Sequence, residues 1–201
     1  LDATFTFTTY NNKITKLAEG IEFFDQTGNA GRVGGNFFRN SVGQPVSAFF
    51  GYKVIGIFQD AAEVSKSPTQ DAAAPGRFKY LDANKDGAIT SADRVFFGNP
   101  SPDFTYGFNF NFTYKGFDAG MFFYGAYGKD ILNYVKWWTD FVPSFQGAKS
   151  KAALYNSYII GGDPAKNAKA TVPAQEESGN FSTNGVPNSY YMEDGSYLRM
   201  K

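Results

Sequence analysis

Oxygen-bearing side chains recur at Asp82, Asn84, Asp86, Thr90 and Asp93 around Gly87, in the stretch DANKDGAITSAD. This D-x-N-x-D-G-x-I spacing is that of a calcium loop. Calcium takes hard oxygen ligands at about 2.3–2.6 Å, and side chains at loop positions one, three and five converge when a glycine at six makes the sharp turn. Asp82, Asn84 and Asp86 would supply carboxylate and amide oxygens, Ala88 its carbonyl, Thr90 a hydroxyl or a bridged water, and Asp93 the last carboxylate. Ile89 would anchor the loop in apolar packing. The final ligand is Asp rather than a long bidentate Glu, and no regular helices flank the loop, so a calcium sensor is disfavoured. The expected role is structural: a cation would crosslink an exposed loop that has no disulfide. The competing reading is an empty Asx-rich turn.

Nothing else has the makings of a reactive centre. The chain of 201 residues has no Cys and no His, which removes thiolate chemistry and the commonest general base and transition-metal ligand. Glu176-Glu177 and Glu193-Asp194 are adjacent acids, but acid–base catalysis needs convergent groups tuned by their surroundings. An enzyme is not expected. The 19 basic and 19 acidic residues balance, so no cationic excess exists to neutralise phosphates and nucleic acid is excluded as a partner.

The elements that must carry such a loop are strands. Residues 104–127 read FTYGFNFNFTY-KG-FDAGMFFYGAY. Phe104, Tyr106, Phe108, Phe110, Phe112 and Tyr114 share one parity, and Thr105, Gly107, Asn109, Asn111 and Thr113 the other. Successive strand side chains point to opposite faces, so one face is apolar and one polar but uncharged. Eleven residues span roughly 36 Å, or about 25 Å at a 45° tilt, the height of the apolar band of an outer-membrane barrel. A soluble core strand alternates equally well. The polar face tips the balance, because Thr, Gly and Asn without Lys or Glu suit a crowded wet lumen. Residues 117–127 alternate less cleanly, since Phe122 and Tyr124 interrupt the second parity. Lys115-Gly116 reads as the hairpin turn, with Gly supplying a positive φ. No run of eighteen apolar residues occurs, so a spanning helix is excluded and a spanning strand is not.

Elsewhere, ATFTFTTY at 3–10 alternates around Phe5 and Phe7. Asn11-Asn12 then suggests a turn into a second strand through Ile14, Leu17, Ile21 and Phe23. Residues 25–44 read as loop, and GQPVSAFFGYKVIGIFQD as either a crossing or a β-segment within a loop. If the turns at 11–13 and 115–116 lie on one side of a barrel, an extra crossing at 46–58 would break the strand count. Residues 25–103 are therefore expected to form mainly one extracellular loop region, with 104–127 a transmembrane hairpin and 128–195 a second long extracellular loop. Residues 196–201 would start the next strand. Ile131, Leu132, Val135 and Trp138 are spaced for a short helix, the prolines between 143 and 189 fit an irregular loop, and Trp137 and Trp138 read as packing or an interfacial belt. The chain opens LDATF and closes on SYLRMK in mid-pattern, which reads as a piece of a longer polypeptide.

An ordered series of blocks adds a resemblance: GQPVSAFFGYKVIGIFQD at 43–60, the run from Pro75 to Asn133 that contains DANKDGAI and GNPSPDFTYG, and MEDGSYLRMK at 192–201. In type and order they resemble the SusC/RagA-type TonB-dependent outer-membrane transporters. The resemblance implies an all-β fold that is part of a large antiparallel transmembrane β-barrel with long extracellular loops, in the outer membrane of a Gram-negative bacterium. It also implies a SusD-like surface lipoprotein as partner, TonB contacted through N-terminal parts outside this chain, and import of glycan or peptide oligomers. The alternative is a secreted, calcium-stabilised β-domain that binds carbohydrate through exposed aromatics.

Overall fold

The computed structural model describes residues 1–26, 32–143 and 147–201, so the expected loop at 25–44 lies partly outside the described residues. In chain order the strands are β1 (Asp2–Thr9), β2 (Phe23–Gln26), β3 (Phe38–Ser41), β4 (Ala48–Gly51), β5 (Val54–Ile57), β6 (Phe78–Tyr80), β7 (Val95–Gly98), β8 (Phe104–Tyr114), β9 (Phe117–Tyr127), β10 (Asp130–Leu132), β11 (Met192–Asp194) and β12 (Tyr197–Met200). The helices are short: α1 (Ala61–Lys66), α2 (Lys136–Asp140), α3 (Lys151–Asn156) and α4 (Pro164–Asn167).

One sheet, in the order β1-β8-β9-β12, is antiparallel throughout. The β8–β9 hairpin runs in unbroken register from Phe104↔Tyr127 to Tyr114↔Phe117. Lys115 and Gly116 both take positive φ, 47° and 87°, as a two-residue turn matched to the right-handed strand twist requires. β1 lies against β8 with Thr9 opposite Phe104, so it begins the sheet and does not turn back on itself. The hairpin expected across Asn11-Asn12 is therefore not formed, and residues 14–22 contain no strand. Asn12 instead ties the long segment after β1 together: its amide donates to Ser101 Oγ (2.8 Å) and its carbonyl oxygen accepts from Val46 N–H (2.9 Å). Residues 11–13 and 115–116 consequently lie at opposite ends of β8, not on one side.

The segments 10–103 and 128–196 leave the same end of this sheet and fold on each other. Between them they hold the sheet β2-β3-β4-β7 and the pairs β5-β6 and β10-β11. Their shared core draws Val33, Phe37, Tyr52, Ile57, Phe78, Tyr80 and Ile89 from the first segment, and Trp137, Phe141, Tyr158, Ala174 and Tyr191 from the second. GQPVSAFFGYKVIGIFQD supplies β4 and β5 within this body, the loop alternative of the two considered. The helix expected near 131–138 is shortened to α2, because Asp130–Leu132 finds a strand partner in β11.

Candidate functional site

The loop at 82–93 follows β6 directly. Lys85 (φ 62°) and Gly87 (φ 86°) make its turns. Asp82 accepts from the N–H groups of Lys85 (2.7 Å) and Gly87 (3.0 Å), Asn84 from Asp86 N–H (3.0 Å), and Asp86 from Ala88 N–H (2.9 Å). These bonds bring Asp82, Asn84 and Asp86 onto one turn, and each carboxylate oxygen keeps further acceptor capacity. The Asn84 amide donates to Asp86 Oδ2 (2.8 Å). Ile89 is buried in the core cluster and its N–H donates to Thr69 O (2.8 Å), so the loop is anchored where the sequence placed its anchor.

Asp93 stands apart from this group. It is fully buried, and its Oδ1 accepts from the N–H groups of Ala83 (2.9 Å) and Asn84 (3.4 Å) while Oδ2 accepts from Thr90 N–H (2.7 Å) and, at 3.4 Å, the Thr90 hydroxyl. Burial pushes the Asp93 carboxyl up, but the amides of Thr90, Ala83 and Asn84 outweigh it and hold the group below the ordinary carboxylate range. In this geometry Asp93 clamps the two ends of the loop, with its lone pairs already committed to the protein. Among the described residues, no three acidic side chains are placed to hold a metal by themselves.

In each of the two adjacent acid pairs, one member is bound by a cation. Arg77 makes a two-pronged bond to Glu176 (2.6 and 2.8 Å), and Lys136 pairs with Glu193 (3.0 Å), whose carboxyl this bond holds below its usual range. Trp137 is buried in the core and meets Trp138 edge-on at 4.9 Å, with the Arg32 guanidinium over both rings, which fits the packing reading.

The sheet β1-β8-β9-β12 has two chemically different faces. Directly opposed residues of an antiparallel pair share a face. On one face the register aligns Phe5 and Phe7 with Phe108 and Tyr106. It continues through Phe110, Phe112 and Tyr114 to Phe123, Met121 and Phe117, and reaches Leu198 and Met200. Tyr106 lies across Gly125, whose missing side chain leaves room for the ring. This face is uncovered: Phe5 is 64 % exposed, Phe117 78 % and Met200 67 %. The other face carries Thr4, Thr6, Thr105, Asn109 and Asn111, and then a set that composition alone did not single out, Phe122, Tyr124, Tyr197 and Arg199. The signal for these was the break in alternation at 122 and 124; it became a cluster only once β12 was set against β9.

No family model matches the chain. It is 30% identical over an alignment of 208 positions to the TonB-dependent receptor P26 of Formosa agariphila, and 30% identical over one of 203 positions to the TonB-dependent receptor P3 of the same organism. The alignments cover 99% and 98% of this chain but 19% and 18% of the relatives, so the chain spans about a fifth of their length. Among solved structures it is similar to the RagAB peptide transporter (TM-score 0.69, 20% identity, 99% of this chain and 19% of that one). It is also similar to the RagAB peptide importer in its closed-closed state (TM-score 0.64, 19% identity, 99% and 20%). The fold is thus mostly strands and is similar to a portion of those transporters, and the relatives are TonB-dependent receptors. With motifs, sequence and fold in agreement along its whole length, the chain fits a segment of a SusC/RagA-like TonB-dependent receptor.

Proposed function

We infer that this chain is part of the wall and outer mouth of a barrel that imports nutrient oligomers, glycans or peptides, across the outer membrane of a Gram-negative bacterium. The observation that carries the reading is the two-faced sheet. A soluble β-domain would have packed the aromatic face of β1, β8 and β9 into its core, whereas here the core lies in the loop body and that face is bare. Hydrocarbon is the solvent that suits such a face, and the spanning height of β8 and β9 matches the apolar band.

Outer-membrane barrels put short turns on the periplasmic side and long loops outside. Lys115-Gly116 then faces the periplasm, and the co-folded body of 10–103 and 128–196 faces outward, in keeping with the expected extracellular loops at 25–103 and 128–195. A surface lipoprotein of the SusD type would meet that body, and energy would come through TonB by way of parts outside this chain. The RagAB neighbours, described as a peptide transporter, favour a peptide over a glycan. Within the body, Asp82, Asn84, Asp86, the Ala88 carbonyl and Thr90 suit a structural calcium ion, which would add a crosslink to a loop already clamped by Asp93.

The test is the full-length receptor with its lipoprotein, produced in an outer membrane. Heat-modifiable migration of a membrane-fractionated protein and TonB-dependent uptake of labelled oligopeptides are expected. Recovery of the receptor as a detergent-independent soluble species would overturn the reading in favour of a secreted carbohydrate-binding domain.

A further inference from the structure

The polar face of the sheet is uniform except at one corner. Along β1 and β8 it shows Thr, Gly and Asn, and its acids, Asp2 and Asp118, sit toward the Lys115-Gly116 end. Toward the loop body the same face turns aromatic and cationic. Arg199 is the direct cross-strand partner of Tyr124, and the Tyr124 and Tyr197 rings are 6.1 Å apart. The Arg199 guanidinium lies 4.8 Å from the centre of the Tyr197 ring, and Lys129 Nζ lies 5.0 Å from the same ring. Among the described residues neither cation is in an ion pair, and Arg199 is exposed.

Two like charges gathered on one ring and outside any ion pair repel each other, and an anion bound by both offsets that repulsion. A guanidinium beside the half-buried Tyr197 ring and the exposed Tyr124 ring offers a carboxylate a forked donor and offers the attached planar or apolar body a stacking surface. We propose that Arg199, Lys129, Tyr197 and Tyr124 form a subsite on the inner wall that receives the carboxylate of an acidic oligomer as it enters from the loop side. The assignment rests on the import reading, which makes the polar face the lumen. It goes further by naming the charge of the cargo and the place of contact. Asp2 and Asp118 at the far end of the same face disfavour such a ligand beside them.

The experiment uses the full-length receptor purified with its lipoprotein, and two pairs of probes. One pair is a dye-labelled glutamate-rich peptide and its glutamine, C-amidated counterpart; the other is a galacturonate oligomer and its methyl ester. Arg199→Gln is expected to weaken binding of at least one acidic probe about tenfold, to leave its neutral counterpart unchanged, and to flatten the salt dependence. Arg199→Lys restores part of the affinity, while Tyr197→Leu weakens acidic and neutral probes of the affected pair together. Which pair responds identifies the peptide or the uronate as the source of the carboxylate. Equal effects on acidic and neutral probes, no effect on either acid, or no binding of either acid to the unmodified receptor overturns the subsite. So does a loss of melting temperature in Arg199→Gln with binding unchanged, which assigns the corner to packing against protein that fills the lumen. A receptor that inserts and imports oligomers without regard to charge defeats the subsite alone, whereas failure to insert defeats the import reading.

Discussion

The carbonyl of Pro187 occupies the space that a β-carbon on Gly51 would need. This approach joins the two long segments: Tyr52 N–H donates to Pro187 O (2.9 Å) and Ser189 N–H to Tyr52 O (3.0 Å). Nearby, Phe78 N–H donates to Ser182 O and Gly34 N–H to Gly185 O, both at 2.8 Å. Since the obstacle is backbone, it cannot swing away as a side chain would. Gly51→Ala should therefore cost about 1–3 kcal/mol, the range for overpacking a tight site. Limited proteolysis of the intact receptor should show cleavage rising in both segments together; a rise in only one would mean that they do not fold as a unit.

Asn188 extends the same junction into the interior. It is fully buried, its amide donates to Val186 O (3.0 Å), Thr183 O (3.2 Å) and the Tyr80 hydroxyl (3.4 Å), and its carbonyl oxygen accepts from Tyr190 N–H (3.0 Å). Asn188→Ala strands several of these groups away from water, at roughly 2–3 kcal/mol. Denaturant unfolding of the loop body, followed by Trp137 and Trp138 fluorescence, should move its midpoint down accordingly. An unchanged midpoint would show that water replaces the amide.

The clamp at Asp93 makes the loop sensitive to acid. Its folded carboxyl is held below the ordinary aspartate range, so on acidification the unfolded chain takes up the proton first. The stability it contributes is present above the unfolded pKa and drains away as pH falls through about 4 toward the lower folded value. Hydrogen exchange at Ala83, Asn84 and Thr90 should quicken across that window. Asp93→Asn should quicken it already at neutral pH and abolish the pH dependence. Persistent acid dependence in that variant would assign the effect to another carboxyl, such as Asp25, which Arg39 holds low.

How much of this was legible depended on whether a contact was local. The alternation of β8, the Lys115-Gly116 turn and the Ile89 anchor each follow from residues a few positions apart, and all three are present. The partner of β1 is not local: Asn11-Asn12 carries the turn chemistry of a hairpin, and nothing nearby shows that the partner strand begins at Phe104. The core of the loop body was hidden for a related reason. Tyr80, Tyr158 and Tyr191 lie in short or irregular segments with no period, and their burial comes only from partners far along the chain. Arg199 lies within the MEDGSYLRMK block, but its face follows only from the register of β12 on β9.

Calcium binding at the loop has a direct measurement. Isothermal calorimetry on the metal-stripped receptor should show calcium binding that Asp82→Ala or Asp86→Ala removes. Calcium should also slow proteolysis of the 82–93 region. Asp93→Asn is expected to weaken binding only through loosening of the loop, because Asp93 already accepts four hydrogen bonds from Ala83, Asn84 and Thr90. Absence of any calcium heat would leave the stretch as an Asx-rich turn.

The assignment of the two faces stands or falls on adjacent positions of one strand. Phe108 and Asn109 differ by one residue, pair with Phe123 and Phe122 respectively, and point to opposite sides of the sheet. If the aromatic face meets lipid, Phe108→Lys places an ammonium in hydrocarbon near mid-height, at about 2–4 kcal/mol. Asn109→Lys instead puts the same charge into a wet lumen, where it costs little. Folding yield into outer membranes, read by heat-modifiable migration, should therefore fall for Phe108→Lys and hold for Asn109→Lys. A general loss of strand propensity would affect both alike, since Lys is unfavourable in either strand position. The reverse order, with Asn109→Lys the damaging change, would turn the sheet inside out and send Arg199 and Tyr197 to the lipid.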